Sequence, residues 1–211
     1  MKVLALSDIH GNLNAIRRIS QIKRDFELIV ISGDLTHFGP AEDAEKIVEI
    51  LRESGKEIIA VPGNCDPPEV MGAIERAGGI NLHAGKKRIG DFTFIGFGGS
   101  NRTPFGTPME FSEEEIRRTV SALLEWESEN LVLVSHVPPK NTLDLVPPDR
   151  RIGSSALEEL KEAFDVILCG HVHESRGILR NDVLIVNPGM ASRGLAALID
   201  LREKRAELFE F

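Results

Sequence analysis

Cysteine, long apolar runs and surplus basic charge are all scarce in this 211-residue chain, and each scarcity excludes a class of protein. Its two cysteines, Cys65 and Cys169, cannot form the several disulfides that hold small secreted domains together. No stretch approaches the ~18 apolar residues of a membrane-spanning helix. The apolar run at the amino terminus is too short for a signal peptide, and Asp8 interrupts it. We therefore expect a cytoplasmic protein that does not bind membranes.

The charge balance limits the partners. The chain has 25 Lys and Arg against 33 Asp and Glu, which gives a net charge of −8. We therefore expect no broad basic face for nucleic acid. A small phosphate-containing substrate remains compatible with this charge if a metal supplies positive charge locally. The length suits a single domain over residues 1–211, since domains average about 150 residues. A homodimer stays open.

The order of apolar segments predicts an α/β fold. Residues 28–31 form a continuous apolar run rich in β-branched side chains, which is typical of a strand buried on both faces between helices. Helical patterns follow the early strands, and strands dominate the last third. Capping-box spacing occurs at Ser112–Glu115, where it opens a helix that continues to Glu127, and again at Ser155 and Glu158. We predict a two-sheet β-sandwich flanked by helices.

Polar side chains of the kinds that bind metals follow five of the predicted strands, at the point where each strand ends. They are Asp8 with His10, Asp34, Asn64, His136, and His171 with His173. Each alone is most simply a turn residue, a helix cap or a loop histidine. Together they supply the carboxylates, imidazoles and amide oxygen that suit divalent transition metals. Ligands of open α/β sheets bind at these strand ends, so the set predicts a metal site.

The same residues carry a family resemblance. The set Asp8-x-His10, Gly33-Asp34, Gly63-Asn64, His136 and Gly170-His171-x-His173 resembles the calcineurin-like metallophosphoesterase superfamily, in particular its small bacterial and archaeal members. The resemblance implies a four-layer α/β/β/α fold with two divalent ions, manganese first and Fe, Zn, Ni or Co as alternatives. It implies that Asp8, His10 and His173 hold one ion. It implies that Asn64, His136 and His171 hold the other, with Asp34 bridging both.

The implied reaction is hydrolysis of a small phosphodiester, phosphomonoester or pyrophosphate by a metal-bridging hydroxide, with a phosphodiesterase preferred. One position departs from the pattern, because Cys65 stands where many relatives place a histidine that serves as general acid. A thiol, with an ordinary pKa of about 8.5, is a weaker proton donor at neutral pH. We therefore expect faster hydrolysis of esters with acidic leaving groups. The alternative is that Cys65 only fills space.

Two proline-rich loops, residues 98–111 and 137–153, are expected to form the substrate pocket, because loops on a rigid scaffold carry specificity. The candidate substrate-binding residues are His37, Asn101 and Arg102, with Phe105, Arg150 and Arg151 as further candidates in the loops.

Two interpretations without catalysis stay open. One is a scaffold that has kept the metallophosphoesterase fold, and the other is a sensor that binds metal and nucleotide without turnover. A scaffold can lose metal ligands freely, whereas all seven ligand positions are filled here, which favours an enzyme.

Overall fold

Two six-stranded sheets form the centre of the computed structural model, which describes residues 1–125 and 129–211. Strands are numbered in chain order. The first sheet has the spatial order β16 (Arg205–Glu210), β15 (Leu195–Asp200), β1 (Lys2–Leu6), β2 (Leu28–Ser32), β3 (Glu57–Val61), β4 (Ile80–Asn81). The second has the order β13 (Gly177–Arg180), β14 (Leu184–Asn187), β12 (Val166–Leu168), β9 (Leu131–Ser135), β6 (Phe92–Phe97), β5 (Gly85–Ile89).

Five α-helices, three short 3₁₀ helices and two short strand pairs complete the described chain. The α-helices are α1 (Leu13–Ser20), α2 (Ala41–Arg52), α3 (Val70–Arg76), α4 (Glu113–Leu124) and α5 (Ser155–Leu160). The strand pairs belong to the two proline-rich loops: β7 (Ser100–Asn101) with β8 (Glu110–Phe111), and β10 (Leu145–Val146) with β11 (Arg150–Arg151).

Three apolar cores separate four layers, as the sequence predicts. In β2, Ile29 and Ile31 pack towards the layer of α1, α2 and α3, whereas Leu28 and Val30 pack between the two sheets. This alternation follows from the two-residue period of a strand. A third core lies between the second sheet and the pair α4 and α5, where Ile116 is fully buried. The predicted α/β/β/α sandwich is confirmed.

The two predicted capping boxes have different outcomes. Ser112 caps α4 as predicted, because its hydroxyl accepts from the Glu115 amide at 3.2 Å and the Glu115 carboxylate accepts from the Ser112 amide at 2.8 Å. The prediction for α5 was wrong by one residue. Ser154 is the cap there, and its hydroxyl accepts from the Leu157 amide at 3.2 Å. The described part of α4 ends at Leu124, and Glu127 lies outside the described residues.

Parallel pairing sets the position of the strand ends. In the first sheet β1, β2, β3 and β4 run parallel, and in the second β6, β9, β12 and β14 do. The carboxyl ends of parallel strands meet at one edge of a sheet. Within each sheet the loops there hydrogen-bond to one another: the Asp8 amide donates to Gly33 at 3.0 Å, and the Gly170 amide to His136 at 2.9 Å.

No helix within residues 1–125 and 129–211 combines the length and the apolar character that crossing a bilayer would require.

Candidate metal centre

Loops from both sheets meet over Asp34. The first sheet supplies Asp8 and His10 after β1, Asp34 after β2 and Asn64 after β3. The second sheet supplies His136 after β9, and His171 with His173 after β12. The structure thus brings all seven predicted ligands to the seam between the sheets.

One group of donor atoms lies on the β1 side of Asp34. The Nε2 atom of His173 is 3.1 Å from Oδ1 of Asp8 and 3.5 Å from Nε2 of His10. Donor atoms of these three residues lie within 4.8 Å of one another, which is close enough to surround a single cation. The family resemblance implies the same three residues for one ion.

A second group lies on the β9 side. The Nε2 atom of His136 is 3.0 Å from Oδ1 of Asn64 and 3.4 Å from Oδ1 of Asp34. The ring of His171 stacks edge-on against that of His136, with 5.0 Å between centroids.

Asp34 lies between the two groups. While its Oδ1 faces His136, its Oδ2 is 3.9 Å from Nε2 of His10. Asp34 thus faces both groups; its bridging of two ions and the assignment of individual ligands to ions stay predictions.

The charge balance of the centre fits divalent cations. Asp8 and Asp34 are only 1% and 3% exposed. Within residues 1–125 and 129–211, their ion-pair partners are histidines alone, with no Lys or Arg. Buried carboxylates need full charge compensation. In addition, Nδ1 of His10 is buried without a hydrogen-bond partner among the described residues. Carboxylates, an amide oxygen and incompletely paired imidazoles form a donor set suited to Mn, Fe, Zn, Ni or Co.

Mutual electrostatics shift the ionisation of these groups. Burial opposes ionisation of Asp34, but the neighbouring His136 imidazole holds the pKa of this carboxyl below its usual value. Burial likewise lowers the tendency of His136 to protonate, yet Asp34 raises the pKa of this imidazole to about 9. The pKa of His171 falls to about 4, because burial and the nearby His136 both disfavour its charged form. The low pKa favours the neutral imidazole of His171, the form that binds metals, whereas His136 must give up a proton to bind one.

The backbone at the centre is locally strained. Asp8, His10, Asp34 and His171 all have positive φ angles, between 47° and 65°. A side chain with a Cβ rarely adopts this left-handed conformation, which costs of the order of 1 kcal/mol or more per residue. The surrounding hydrogen bonds hold these residues there, and such strain is characteristic of functional sites.

Close packing of the ligand loops requires glycine at several positions, of which Gly63 and Gly170 lie against the two carboxylates. A Cβ added at Gly63 would overlap the carboxylate and the amide nitrogen of Asp34. A Cβ added at Gly170 would overlap the Ser7 hydroxyl and come within 2.7 Å of Oδ2 of Asp8. The Gly-Asn and Gly-His pairs of the motifs therefore reflect the small distance between loops.

Asp66 joins two of the ligand loops. Its carboxylate accepts from the amides of Leu35 at 3.0 Å, Thr36 at 2.7 Å and Gly63 at 2.8 Å, and from the Thr36 hydroxyl at 2.9 Å. Asp66 is fully buried. It holds the loop that carries Asp34 against the loop that carries Asn64.

Thr107 and Glu110 hold the side chain of Asn64. The Asn64 amide nitrogen donates to the Thr107 hydroxyl at 3.0 Å, and this hydroxyl donates to Oε1 of Glu110 at 2.6 Å. Since the hydroxyl proton goes to Glu110, the hydroxyl can only accept from Asn64. The network therefore directs the amide oxygen of Asn64 towards Nε2 of His136.

Sequence reasoning missed Asp66, Thr107 and Glu110. Asp66 and Thr107 act through contacts between loops, and Glu110 acts through Thr107. No local pattern distinguishes these residues from other polar loop residues.

Cys65 faces the centre. Its amide donates to Oδ1 of Asp34 at 2.9 Å, and its Sγ lies within 4.8 Å of donor atoms of both His10 and Asp34. Burial and the Asp34 carboxylate raise the pKa of the Cys65 thiol, so that it is protonated at neutral pH. Cys169, by contrast, is fully buried, and its thiol lies 3.6 Å from the Val186 carbonyl oxygen.

A cleft of about 870 Å³ opens over the centre. Three of the residues predicted to bind substrate line this cleft: His37, Phe105 and Arg150. Asn101, Arg102 and Arg151 do not line this cleft but an adjoining cavity, which Phe105 and Arg150 also line. Sequence reasoning did not single out Phe38, which is 56% exposed in the cleft. Substrate contact by any of these residues stays a prediction.

Several known proteins are similar to this chain in sequence. An uncharacterized protein of Methanocaldococcus jannaschii is 38% identical over 203 residues, which cover 91% of this chain and 89% of that protein. Phosphodiesterase YfcE of Escherichia coli K12 is 36% identical over 74 residues, 31% of this chain and 40% of YfcE. A probable glycerophosphodiester phosphodiesterase, GpdQ of Arcobacter nitrofigilis, is 25% identical over 93% of this chain and 74% of its own length.

A crystal structure of a Thermus thermophilus protein superposes with a TM-score of 0.82 at 20% identity, covering 99% of this chain and 98% of that one, which supports the fold. The model of the calcineurin-like phosphoesterase superfamily domain matches residues 1–200. With the motif residues assembled at the seam of the predicted sandwich, this match establishes that the chain belongs to the calcineurin-like phosphoesterase superfamily.

Proposed function

We propose that the chain is a binuclear metal-dependent phosphodiesterase that hydrolyses a small organic phosphodiester. The observation that carries the proposal is the position of Asp34, whose two carboxylate oxygens face two separate groups of ligand atoms. Two relatives named as phosphodiesterases, YfcE and the probable GpdQ, support the same class of reaction.

When bound, two divalent ions would supply positive charge for the phosphoryl oxygens and lower the pKa of a water molecule to about 7. The residues of the chain would place these charges. Asp34 is held by the Cys65 amide, Asn64 by Thr107, and both loops by Asp66. Such fixed geometry lowers the reorganisation needed during phosphoryl transfer.

The size of the cleft supports an organic diester. Its volume of about 870 Å³ falls among pockets for organic ligands, which span roughly 300–1,000 Å³. Exposed aromatic rings of Phe38 and Phe105 line it and offer apolar surface to the ester groups. His37 lies beside His10, with 5.3 Å between ring centroids, within the same cleft. We propose His37 as a donor to a phosphoryl or leaving-group oxygen.

We propose manganese as the ion, because the predicted ligands are oxygens and imidazole nitrogens. Fe, Zn, Ni and Co accept the same ligands and are the alternatives. The partner proposed is a small phosphate-containing molecule rather than nucleic acid, in keeping with the net charge of −8.

The test is hydrolysis of bis(p-nitrophenyl) phosphate and p-nitrophenyl phosphate by chelator-treated protein as manganese is added back. We expect turnover to require manganese and to be faster for the diester. Asp34→Asn should abolish it, because one bridging carboxylate charge is lost. Asp25→Asn is the matched control, since Asp25 is exposed and pairs with Lys2 at the surface. Binding of two ions without turnover of either ester under any of the five metals would contradict the proposal and favour a metal sensor or scaffold.

A further inference from the structure

A second cavity, of about 300 Å³, adjoins the cleft over the metal centre. The two share Asn64, Phe105, Arg150, Ile152 and His171 as lining residues. Since Asn64 and His171 are predicted metal ligands, a molecule whose phosphate lies at the centre can extend directly into the second cavity.

The second cavity is positively charged. Three arginines line it, Arg102 from the first proline-rich loop and Arg150 and Arg151 from the second, whereas none of the described residues that line it is acidic. This is contrary to the charge of the chain as a whole, which is −8. Two separate loops therefore bring basic side chains to one small space.

The three arginines differ in what they bind. Arg151 is committed to Asp144, with 2.5 Å between Nη1 and Oδ1, and the Asp144 side chain is fully buried. The side chains of Arg102 and Arg150 make no hydrogen bond or ion pair with any part of the chain that the structure describes. Hydrogen bonds from Ser112 lower the pKa of Glu115, and the charge of Arg102 contributes to a smaller degree. The side chains of Glu115 and Arg102 nevertheless form no ion pair.

Unpaired guanidinium groups suit a phosphoryl group. A guanidinium offers five N–H donors in a planar fork that matches the oxygens of phosphate. Arg150 lines both the cleft and the second cavity, and it can therefore reach an anion located between the two.

An aromatic ring lies beside the same space. Phe105 lines both cavities and is 80% exposed. An exposed phenyl ring is a surface on which a planar group such as a nucleobase can stack.

From these observations we infer that the substrate carries a second phosphoryl group, which Arg102 and Arg150 bind while a planar organic group packs on Phe105. The chemical class is a nucleotide with two phosphoryl groups. The inference rests on the proposed function only in placing the scissile phosphate at the metal centre. A cavity of about 300 Å³ with two unpaired arginines suits one such group and not a nucleic-acid strand.

The test is isothermal titration calorimetry on manganese-loaded protein with three ligands: the α,β-methylene analogue of ADP, AMP and methylenediphosphonate. We expect the ADP analogue to bind roughly 10- to 100-fold more tightly than AMP, the range expected for hydrogen bonds to charged groups. Arg102→Ala and Arg150→Ala should each remove most of this difference. Arg180→Ala is the control, because Arg180 is exposed on β13 and lines neither cavity.

Further arms separate the two parts of the ligand. Phe105→Ala should weaken binding of the ADP analogue and leave methylenediphosphonate unchanged, if the base stacks there. Equal binding of the ADP analogue and AMP, or a difference that survives both arginine variants, would overturn the inference. Hydrolysis of the aryl diester by the same preparation distinguishes the two failures. Turnover without the binding preference refutes the arginine subsite alone, whereas arginine-dependent binding without turnover refutes the phosphodiesterase.

Discussion

Among the described hydrogen bonds, only the Thr107 hydroxyl connects the Glu110 carboxylate to the side-chain amide of Asn64. We expect its removal to weaken metal binding on the Asn64 side of the centre. Thr107→Val keeps the shape of the side chain and deletes the oxygen acceptor of the Asn64 amide nitrogen, which is left with the weakly accepting Sγ of Cys65 at 3.8 Å. A buried polar group that loses its good partner costs about 1–3 kcal/mol. The cost applies to the orientation in which the Asn64 amide oxygen faces the metal centre. In the flipped orientation the amide nitrogen faces Nε2 of His136 instead and can donate a hydrogen bond there.

A cost of this size corresponds to a roughly 10- to 100-fold loss of affinity for the ion on the Asn64 side, which is typical for removal of a hydrogen-bond partner behind a metal ligand. Asp8, His10 and His173 do not contact Thr107, so the other ion should bind as before. Calorimetric titration with manganese resolves the two classes of site. Thr107→Ser, which restores the hydroxyl, should recover the affinity.

The matched control is Thr103→Val. The Thr103 hydroxyl also donates to Oε1 of Glu110, at 2.5 Å, but it does not contact Asn64. Equal weakening of manganese binding in Thr103→Val and Thr107→Val would mean that general loosening of the loop is responsible. Unchanged binding of both ions in Thr107→Val would refute the role of the network.

Three further predictions concern the same centre. Gly63→Ala should reduce manganese affinity at least tenfold in calorimetry, because its Cβ would displace the Asp34 carboxylate. Gly72→Ala in α3 is the control, because the atom nearest to the new Cβ is the end of the Arg76 side chain at 3.2 Å. This variant should raise the free energy of unfolding by about 0.5–1 kcal/mol in urea titrations. Glu110→Gln should lower the melting temperature at pH 7. Burial opposes ionisation of Glu110, but four hydrogen bonds to its carboxylate hold the pKa at about 2. The ionised carboxylate therefore stabilises the fold fully above the ordinary pKa of 4.5, and the difference in melting temperature between variant and natural protein should vanish as the pH falls from 4.5 to 2. Across a series of aryl diesters, turnover should fall steeply as the leaving-group pKa rises, because the Cys65 thiol is a weak general acid. Cys65→His should make this dependence less steep. A flat dependence in the natural protein would contradict the prediction.

The fold was predictable from the sequence because strands buried on both faces have a distinct pattern. The apolar run of β2 and the alternation of strands with amphipathic helices indicate a covered parallel sheet, and the structure has this arrangement. Local signals were less exact. Ser154 and Ser155 are adjacent serines with equal capping chemistry, and the choice between them depends on Glu113 of α4, which accepts from the Ser154 hydroxyl at 2.6 Å.

Residues that directly follow strands were predictable as a group, whereas their supports were not. Asp8, Asp34 and His136 stand at fixed points relative to apolar runs. Thr107 lies 43 residues from Asn64 in the chain, and only the folded loop brings the two together. The division between the cleft and the arginine-lined cavity likewise depends on how two irregular loops fold, which side-chain periodicity does not describe.

The seam between the sheets has a consequence for how the protein could be divided. A break in the chain between residues 84 and 85, ahead of β5, would leave Asp8, His10, Asp34 and Asn64 on one fragment and all three of His136, His171 and His173 on the other. Neither fragment alone would contain either predicted set of three ligands. Cooperative uptake of metal would then report that two separately produced halves had reassociated with the correct register across the sandwich. Metal binding would therefore provide a direct assay for complementation of the two fragments.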